Sequence, residues 1–490
     1  MNKKKILALS AVVILLAGLI SGCFDDKHER TEAVKSDISV KTEELVWYIP
    51  GETPPDLDSV LNKADEYLKN RLNITLSLRF IPENEYSSQM SVLIRSGEAF
   101  DLCFTSADLN SFKQNVYKGA FLQLDALLEK YGGSLKEIVD SRLWKSTNIN
   151  GGIYAVPANR QAVSSFVWLL NKELCEKHSV NLSENATLKD LEPVLLQISE
   201  EEPEYTPFAL NQNGLAGVFA DFDMAAGENI PAGVSLLGTG GLKAVSVLED
   251  GSVMTQLKIL CDFYEKGYIN QDAPDTDILP ENRFLTSETS GAYAESEWSA
   301  VYGDDVLSVQ RTSACITTAS AAGAFNAVSV TSRHPEKAVE LLALVNTDIY
   351  LRNLLQYGLE NTHYTLTGKT TATLLEKSSD YQVPLSALGN EFITYTLFPD
   401  PFDKWEEIKN YNDGALSSPL LGFHFNPEKV SAQLEAVSQV TAQYRPLLFT
   451  GAGDFETLYP QVLEDYHKAG LEDVIKEIQL QIDSWTEKTN

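Results

Sequence analysis

Cysteine is scarce and scattered in this chain: five in 490 residues, at positions 23, 103, 175, 261 and 315. No two form a CxxC pair, which removes the common zinc, iron–sulfur and thioredoxin-type spacings. Cys103, Cys175, Cys261 and Cys315 each sit in an apolar stretch and read as small buried hydrophobes. Two disulfides are the other arrangement open to an exported protein. The six histidines are dispersed, so no metal site and no cofactor are expected. Basic residues are in deficit, 39 against 69 acidic, for a formal net charge of −30. That balance excludes nucleic acid as a partner and argues against general attraction to anionic lipid. The sequence has no GxSxG, no HExxH and no phosphate-binding glycine loop. Gly238-Thr239-Gly240-Gly241 is followed by no Lys-Ser/Thr and reads as an ordinary loop. Beyond the first twenty or so residues no apolar run approaches membrane-span length, and no internal repeat is visible.

The beginning of the chain is the most informative part. Lys3, Lys4 and Lys5 precede an apolar run from Ile6 to Ile20, broken only by Ser10 and Gly18. The run is short for a span and has the layout of a secretory signal. It closes on Ser21-Gly22-Cys23, small residues ahead of a thiol, the pattern at which a bacterial lipoprotein is cleaved and acylated. A plain signal peptide or anchor helix with an incidental cysteine is the alternative. On the lipoprotein reading residues 1–22 are the signal and Cys23 carries lipid. Residues 23–43, polar and without apolar period, form a flexible tether to the outer face of the cytoplasmic membrane.

The remaining 450 or so residues suffice for two or three domains. Leu45 to Ile49 is a continuous apolar run stopped by Pro50-Gly51, as in a strand buried on both faces. Leu57, Val60, Leu61, Ala64, Leu68 and Leu72 follow at helical spacing. Ile74, Leu76, Leu78 and Phe80 then alternate with polar residues, a strand with one wet face. Strand, helix, strand implies a parallel βαβ unit with a right-handed crossover, hence α/β architecture. Met90 to Ser96 adds a helix, and Asp101 to Thr105, Ile153 to Pro157 and Phe166 to Leu170 add strands. Pro335 and Glu336 open a further helical stretch, where a missing N–H and a negative charge are both tolerated. The last third is helical: Val430, Leu434, Val437, Val440 and Tyr444 make one stripe, and Val474, Ile475, Ile478, Ile482 and Trp485 another.

Taken together, the lipid signal, the βαβ opening, Ser96 to Thr105, Asn150 to Pro157, Phe166 to Leu174 and Pro335 to Ala338 resemble the family 1 extracellular solute-binding proteins of ABC importers. Tyr357 to Tyr364, Leu421 to Phe425 and Gln479 to Trp485 resemble the branch with a C-terminal domain of unknown function. The likeness covers nearly all of the chain after the tether and rests on the order and spacing of individually weak motifs. Asn361 departs from it, standing where glycine or a charged residue is expected. The acidic run Ser199 to Glu202 departs too and reads as a solvated loop.

This resemblance implies a two-lobed type II periplasmic-binding-protein-like fold with a hinge, plus a C-terminal helical extension. Lobe 1 would span 44–158 and be completed by about 320–365. Lobe 2 would span 159–318 and be completed by about 366–490. Crossings are expected near 159–164, near 316–324 and near 365. A solute, an oligosaccharide above all, would be captured in the interlobe cleft by hinge closure and passed to ABC permease subunits by a lipid-anchored monomer of a Gram-positive bacterium, without catalysis. The alternatives are a peptide or other polar-solute binding protein, a surface ligand sensor, and, least favoured, a glycosidase drawn from Glu297 and Asp108.

Ligands of open α/β sheets sit beyond the carboxyl ends of the strands. That rule singles out Tyr48 and Gly51, then Thr105, Ser106 and Asp108, then Asn159 and Arg160. The resemblance adds Glu297 and Trp298, since sugar-binding members place a tryptophan against the ligand after the corresponding strand. A sugar offers a C–H face to an aromatic ring and hydroxyls to such polar groups. Bland readings stand beside these: Trp298 and Tyr48 as packing, and Asp108 as the cap of a helix starting near Leu109.

Overall fold

The computed structural model describes residues 41–238 and 241–489. Cys23, the tether up to residue 40, and Thr239 and Gly240 of the glycine-rich loop lie outside the described residues.

Nine strands build two main sheets: β1 Glu43–Pro50, β2 Ile74–Ile81, β3 Leu102–Thr105, β4 Val156–Pro157, β5 Ser165–Asn171, β6 Thr206–Phe208, β7 Arg283–Ser290, β8 Val306–Gln310 and β9 Phe325–Val328. The first sheet runs β2-β1-β3-β9-β4 and the second β8-β5-β7-β6. β1 pairs in parallel with β2 and β3, while β9 is antiparallel to both β3 and β4. In β1, Leu45, Trp47 and Ile49 on one face are fully buried, and on the other Tyr48 is buried and Val46 half-buried, so the strand is covered on both faces. In β2 the alternation holds: Ile74, Leu76 and Leu78 are buried and Arg79 is exposed. The helix Leu57–Leu72 joins them and buries Leu57, Val60, Ala64 and Leu68.

Two separate cores define two lobes. The first gathers Trp47, Leu102, Phe325 and Leu341; the second gathers Trp168, Phe208, Phe284, Val437 and Ile478. The C-terminal helices Ser431–Thr450, Phe455–Ala469 and Leu471–Thr489 therefore pack into the second lobe. Cys103, Cys175 and Cys261 are buried free thiols, and Cys315 is a half-buried one.

Several expectations shift. Residues 366–388 do not leave the first lobe at 365: Tyr381, Val383, Ala387 and Leu388 are part of its core. The reason is a set of buried polar ties. The Trp47 indole donates to Asn326 Oδ1 at 3.0 Å, and Asn326 Nδ2 donates to the Ala387 carbonyl at 2.9 Å. Arg352, fully buried in the helix Ile349–Tyr357, donates to the carbonyls of Asn390 and Leu385 and to Gln356 Oε1. Ser199 to Glu201 ends the helix Leu188–Glu201, and Glu202 is buried against Lys177 and His178, so this acidic run is no solvated loop. Ile153 to Pro157 is divided between a hairpin, Asn148–Ile149 with Gly152–Ile153, and β4. Asn361 has φ of 62°, the left-handed region that asparagine enters at less cost than most residues, and so serves where glycine was expected.

Three chain passes link the lobes side by side. Cys315 N–H donates to the Ser164 carbonyl, and Leu416 N–H donates to the Ala314 carbonyl at 2.9 Å. Cys315–Ile316 and Leu416–Ser417 pair as parallel strands. The third pass thus lies near 411–418.

Arg352 supplies a direct test of the fastening. An Arg352→Met substitution leaves two carbonyls and Gln356 without their donor in a dry site. It is expected to cost about 3 kcal/mol, read as a lowered urea midpoint at unchanged slope; a loss under about 1 kcal/mol would show that these bonds are dispensable.

Candidate functional site

The carboxyl ends of β1, β3 and β4 and the amino end of β9 share one edge of the first sheet, because β9 runs against β3 and β4. On the second sheet the corresponding edge next to the crossings carries the start of β5, the end of β7 and the end of β8. The crossings join these two edges, and the polar groups between them form the candidate site.

At its base, Arg160 is half-buried and spends its guanidinium on main-chain carbonyls, Gln161 at 2.7 Å and Ser320 at 2.6 Å. Gly323 admits it, since a Cβ there would stand 2.3 Å from Arg160 Nη2. Burial lowers the Arg160 pKa, and the Glu391 charge opposes that shift. Glu391 donates its own N–H to the Asn159 carbonyl at 2.9 Å. Its carboxyl is pushed up to about 7 by burial, against the pull of Arg160, Arg352 and Lys404. Asn412 donates to the Arg160 carbonyl at 2.9 Å while its buried Oδ1 has no partner. Tyr411 donates to Ser165 Oγ at 2.9 Å, and Ser290 Oγ is buried without a partner. Just past β7, Gly291 lies under Gln161, and the Tyr293 hydroxyl donates to Glu407 of the helix Lys404–Gly414. The cluster is rich in hydroxyl and amide groups, with one half-buried cation, Arg160, in the field of Glu391.

The residues singled out in the sequence fare unevenly. Asn159 and Arg160 stand at the crossing, yet Asn159 uses its amide on Asp140 N–H and the Ile138 carbonyl. Thr105 donates to the Asn110 carbonyl, and Ser106 Oγ accepts from Asp108 and Leu109 N–H. Asp108 is exposed and caps no helix: the next one, Phe112–Tyr117, starts after Ser111. Tyr48 is buried with its hydroxyl bound by Arg79, and Gly51 faces Phe80 and Pro384. Glu297 is exposed on the helix Ala294–Tyr302. Trp298 packs with Tyr302 against Val167, Leu169 and Val306. Tyr293, Glu391, Glu407, Tyr411 and Asn412 were missed. The strand-end rule reaches Tyr293 if the strand is ended at Ser290; the others belong to a segment with no strand pattern to follow. Among the described residues no group of three or more His, Cys, Asp or Glu is placed to hold a metal ion.

A second space lies elsewhere. A cavity of about 1560 Å³ opens between the hairpin region of the first lobe and the C-terminal part of the second, around Trp144, Phe423, His424 and Trp485.

Comparison with known proteins gives this geometry a context. Residues 419–487 match the family described as a domain of unknown function, DUF3502. Over 99% of both chains the sequence is 29% identical to a carbohydrate ABC transporter substrate-binding protein of Streptococcus pneumoniae. The crystal structure of the N-glycan transport solute binding protein of the same organism is similar at 28% identity, with a TM-score of 0.81, covering 91% of this chain and all of that one. That protein in complex with Man5GlcNAc gives a TM-score of 0.64 at the same identity, covering 91% and 99%. The fold is therefore that of the two-lobed solute-binding proteins.

Glu391 has a pH signature. Its folded pKa lies above the unfolded carboxylate value, so its contribution falls as pH rises from about 4.5 through about 7. Glu391→Gln is expected to be more stable than the parent by roughly 2 kcal/mol at pH 8 and equal to it near pH 4. Denaturant titrations at the two pH values check this; equal stability at pH 8 would refute a dry carboxyl there.

Proposed function

We propose that this protein is the substrate-binding subunit of a carbohydrate ABC importer, taking an oligosaccharide of the N-glycan type between its lobes by hinge closure. The observation that carries this reading is likeness over 91% of the chain, with a TM-score of 0.81, to a solute binding protein of N-glycan transport. The cleft chemistry supports it. Serine, asparagine, glutamine and tyrosine groups suit the hydroxyls of a neutral sugar, whereas a strongly anionic solute would call for a cluster of free cations. Tyr293 supplies an aromatic ring at the end of β7, where a C–H face can rest.

Hinge closure is supported by the two comparison scores. Identity is equal and coverage nearly so for the structure whose name gives no ligand and the Man5GlcNAc complex, yet the TM-score falls from 0.81 to 0.64. Divergence in sequence cannot produce that difference; a change in lobe arrangement can. Asp108, Thr105, Ser106, Asn159 and Arg160 edge the first-lobe side, with Tyr48 and Gly51 behind them. Glu297 and Trp298 lie on the helix that follows Tyr293. In this reading Cys23 carries the lipid that keeps the protein at the outer face of the cytoplasmic membrane, as a monomer beside its permease. Its task is capture and delivery, with no bond broken.

Calorimetric titration with Man5GlcNAc, maltopentaose and a pentapeptide tests the ligand class. Man5GlcNAc is expected to bind with unit stoichiometry, and at 100 times its dissociation constant to stabilise the fold by about 2.7 kcal/mol. Tyr293→Ala is expected to weaken binding at least ~10-fold, about 1.4 kcal/mol, without loss of stability. Binding of the peptide alone would sink the carbohydrate reading, and release of reducing ends from the glycan would sink the non-enzymatic one. Cys23→Ser is expected to move the protein from the membrane to the soluble fraction; retention would refute the lipid anchor.

A further inference from the structure

The 1560 Å³ cavity does not belong to the cleft formed at the strand ends. Its first-lobe wall is built on the opposite edge of the sheet. Leu122 N–H bonds the carbonyl of Val328, which pairs with Leu102 at the amino end of β3, and Leu124 N–H bonds the carbonyl of Ile153. The hairpin that lines the cavity is thus on the far side of the sheet from Thr105, Ser106 and Asn159. Its second-lobe wall follows the third crossing, where the Thr318 hydroxyl holds the Leu420 carbonyl at 2.6 Å. The two walls approach at Gly422, where a Cβ would stand 3.1 Å from the Lys145 carbonyl oxygen.

The lining has a specific character. Phe423 and Trp485 stand edge to face with centroids 5.7 Å apart, and Trp144 faces the same space. Gln481 clamps Asn426 through both its N–H and its carbonyl, at 2.7 and 2.8 Å, which fixes the Phe423 segment on the C-terminal helix. Two polar atoms at the cavity are buried without partners: the Trp144 indole N–H, on a side chain only 8% exposed, and His424 Nε2. Main-chain groups of Ser146 and Asn148 lie close to the His424 ring. Burial first, and Lys113 second, hold this histidine neutral, with its pKa pulled down to about 4. A neutral imidazole has one N–H and one lone pair, so Nε2 gives or takes a hydrogen bond according to its tautomer. The wall therefore offers two unanswered polar atoms, an indole N–H and an imidazole nitrogen, among three aromatic rings.

A hydroxyl group is both acceptor and donor, and a sugar ring carries several beside an apolar C–H face. A fatty or purely aromatic ligand would leave both buried groups unsatisfied, and the buried charge on the lining, Glu477, is already held by Lys429 at 3.0 Å. We propose that this groove, walled by Trp144, Phe423, His424 and Trp485, is a second saccharide site, separate from the strand-end cleft. It stands on its own geometry and does not need the cleft to be the transport site.

Indole N–H resonances of the full chain, labelled with 15N in tryptophan, read this site directly. The chain has six tryptophans, and the Trp144 signal is identified by its loss in Trp144→Phe. N-acetylglucosamine and mannose are titrated with and without saturating Man5GlcNAc. The expected result is a saturable shift of the Trp144 resonance in both conditions. His424→Leu is expected to raise that dissociation constant at least ~10-fold while leaving the calorimetric Man5GlcNAc affinity within about twofold. A Trp144 resonance that stays fixed in either sugar, or moves as far in glycerol, overturns the proposal: the cavity then holds water or any small polyol. The shift itself is read in the unmodified chain, so misfolding of a variant cannot decide it. If Man5GlcNAc binds nowhere but Trp144 still responds, the cleft reading fails and this one stands.

Discussion

Three short backbone pairings carry the architecture. Ser164, Cys315 and Leu416 sit side by side where the chain passes between lobes, joined by main-chain hydrogen bonds. Two lobes with separate cores have no shared apolar interior to fix their relation, so the passes must do it. Paired strands resist sliding and stretching but bend across their plane. The tract from Cys315 to Phe325 is rich in alanine, threonine, serine and glycine, which lets neighbouring backbones approach as this pairing demands. The contents of the cleft follow from the same constraint: the side chains nearest the passes, from Arg160 to Asn412, are the ones it holds in place.

The first lobe is completed by chain that returns from far along the sequence, and polar bonds hold that return in register. Apolar packing alone tolerates slippage, since leucine against leucine has many arrangements of similar energy. Asn326 joining Trp47 to Ala387, and Arg352 joining Gln356, Leu385 and Asn390, leave one arrangement with all groups satisfied. The cost is a buried cation, moderated by the Glu391 carboxyl on the same side. Glu391 in turn lies beneath Asn159 and against Arg160, so the fastening of the lobe and the floor of the cleft are one network.

Sequence pattern revealed most of this wherever structure is periodic. The run at Leu45 to Ile49, the spacing from Leu57 to Leu72 and the alternation from Ile74 to Phe80 state their elements outright, and so do the stripes of the C-terminal helices. The segment from 366 to 412 was opaque because it is fastened by single polar bonds from distant residues, such as Asn326 to Ala387, Asn159 to Glu391 and Arg160 to Asn412, which leave no period. The same limit hid Glu391, Tyr411 and Asn412. Tyr293 was within reach: the strand pattern ends at Ser290, and the first ring beyond it is Tyr293. Trp298, one helical turn later, is turned onto the sheet by the 3.6-residue repeat and meets Tyr302 there. For Thr105, Ser106 and Asn159 the residue type was right for a ligand contact, but the loops they occupy need the same hydroxyls and amides for their own turns.

The two spaces between the lobes then stand in a definite relation. The strand-end cleft lies at the carboxyl edge of β3, and the groove of Trp144 and His424 begins from its amino edge. Both are bounded by the second lobe, and both include residues next to the crossings, Arg160 and Ser290 on one side and Ser418 and Gly422 on the other. Any rotation that brings the lobes together over one edge must change the separation of walls at the other, because the passes between them hold their length. A ligand in either space that contacts both lobes is thereby linked to the hinge, and linkage is reciprocal: whatever one ligand does to the affinity of the other, the other does in return by the same factor.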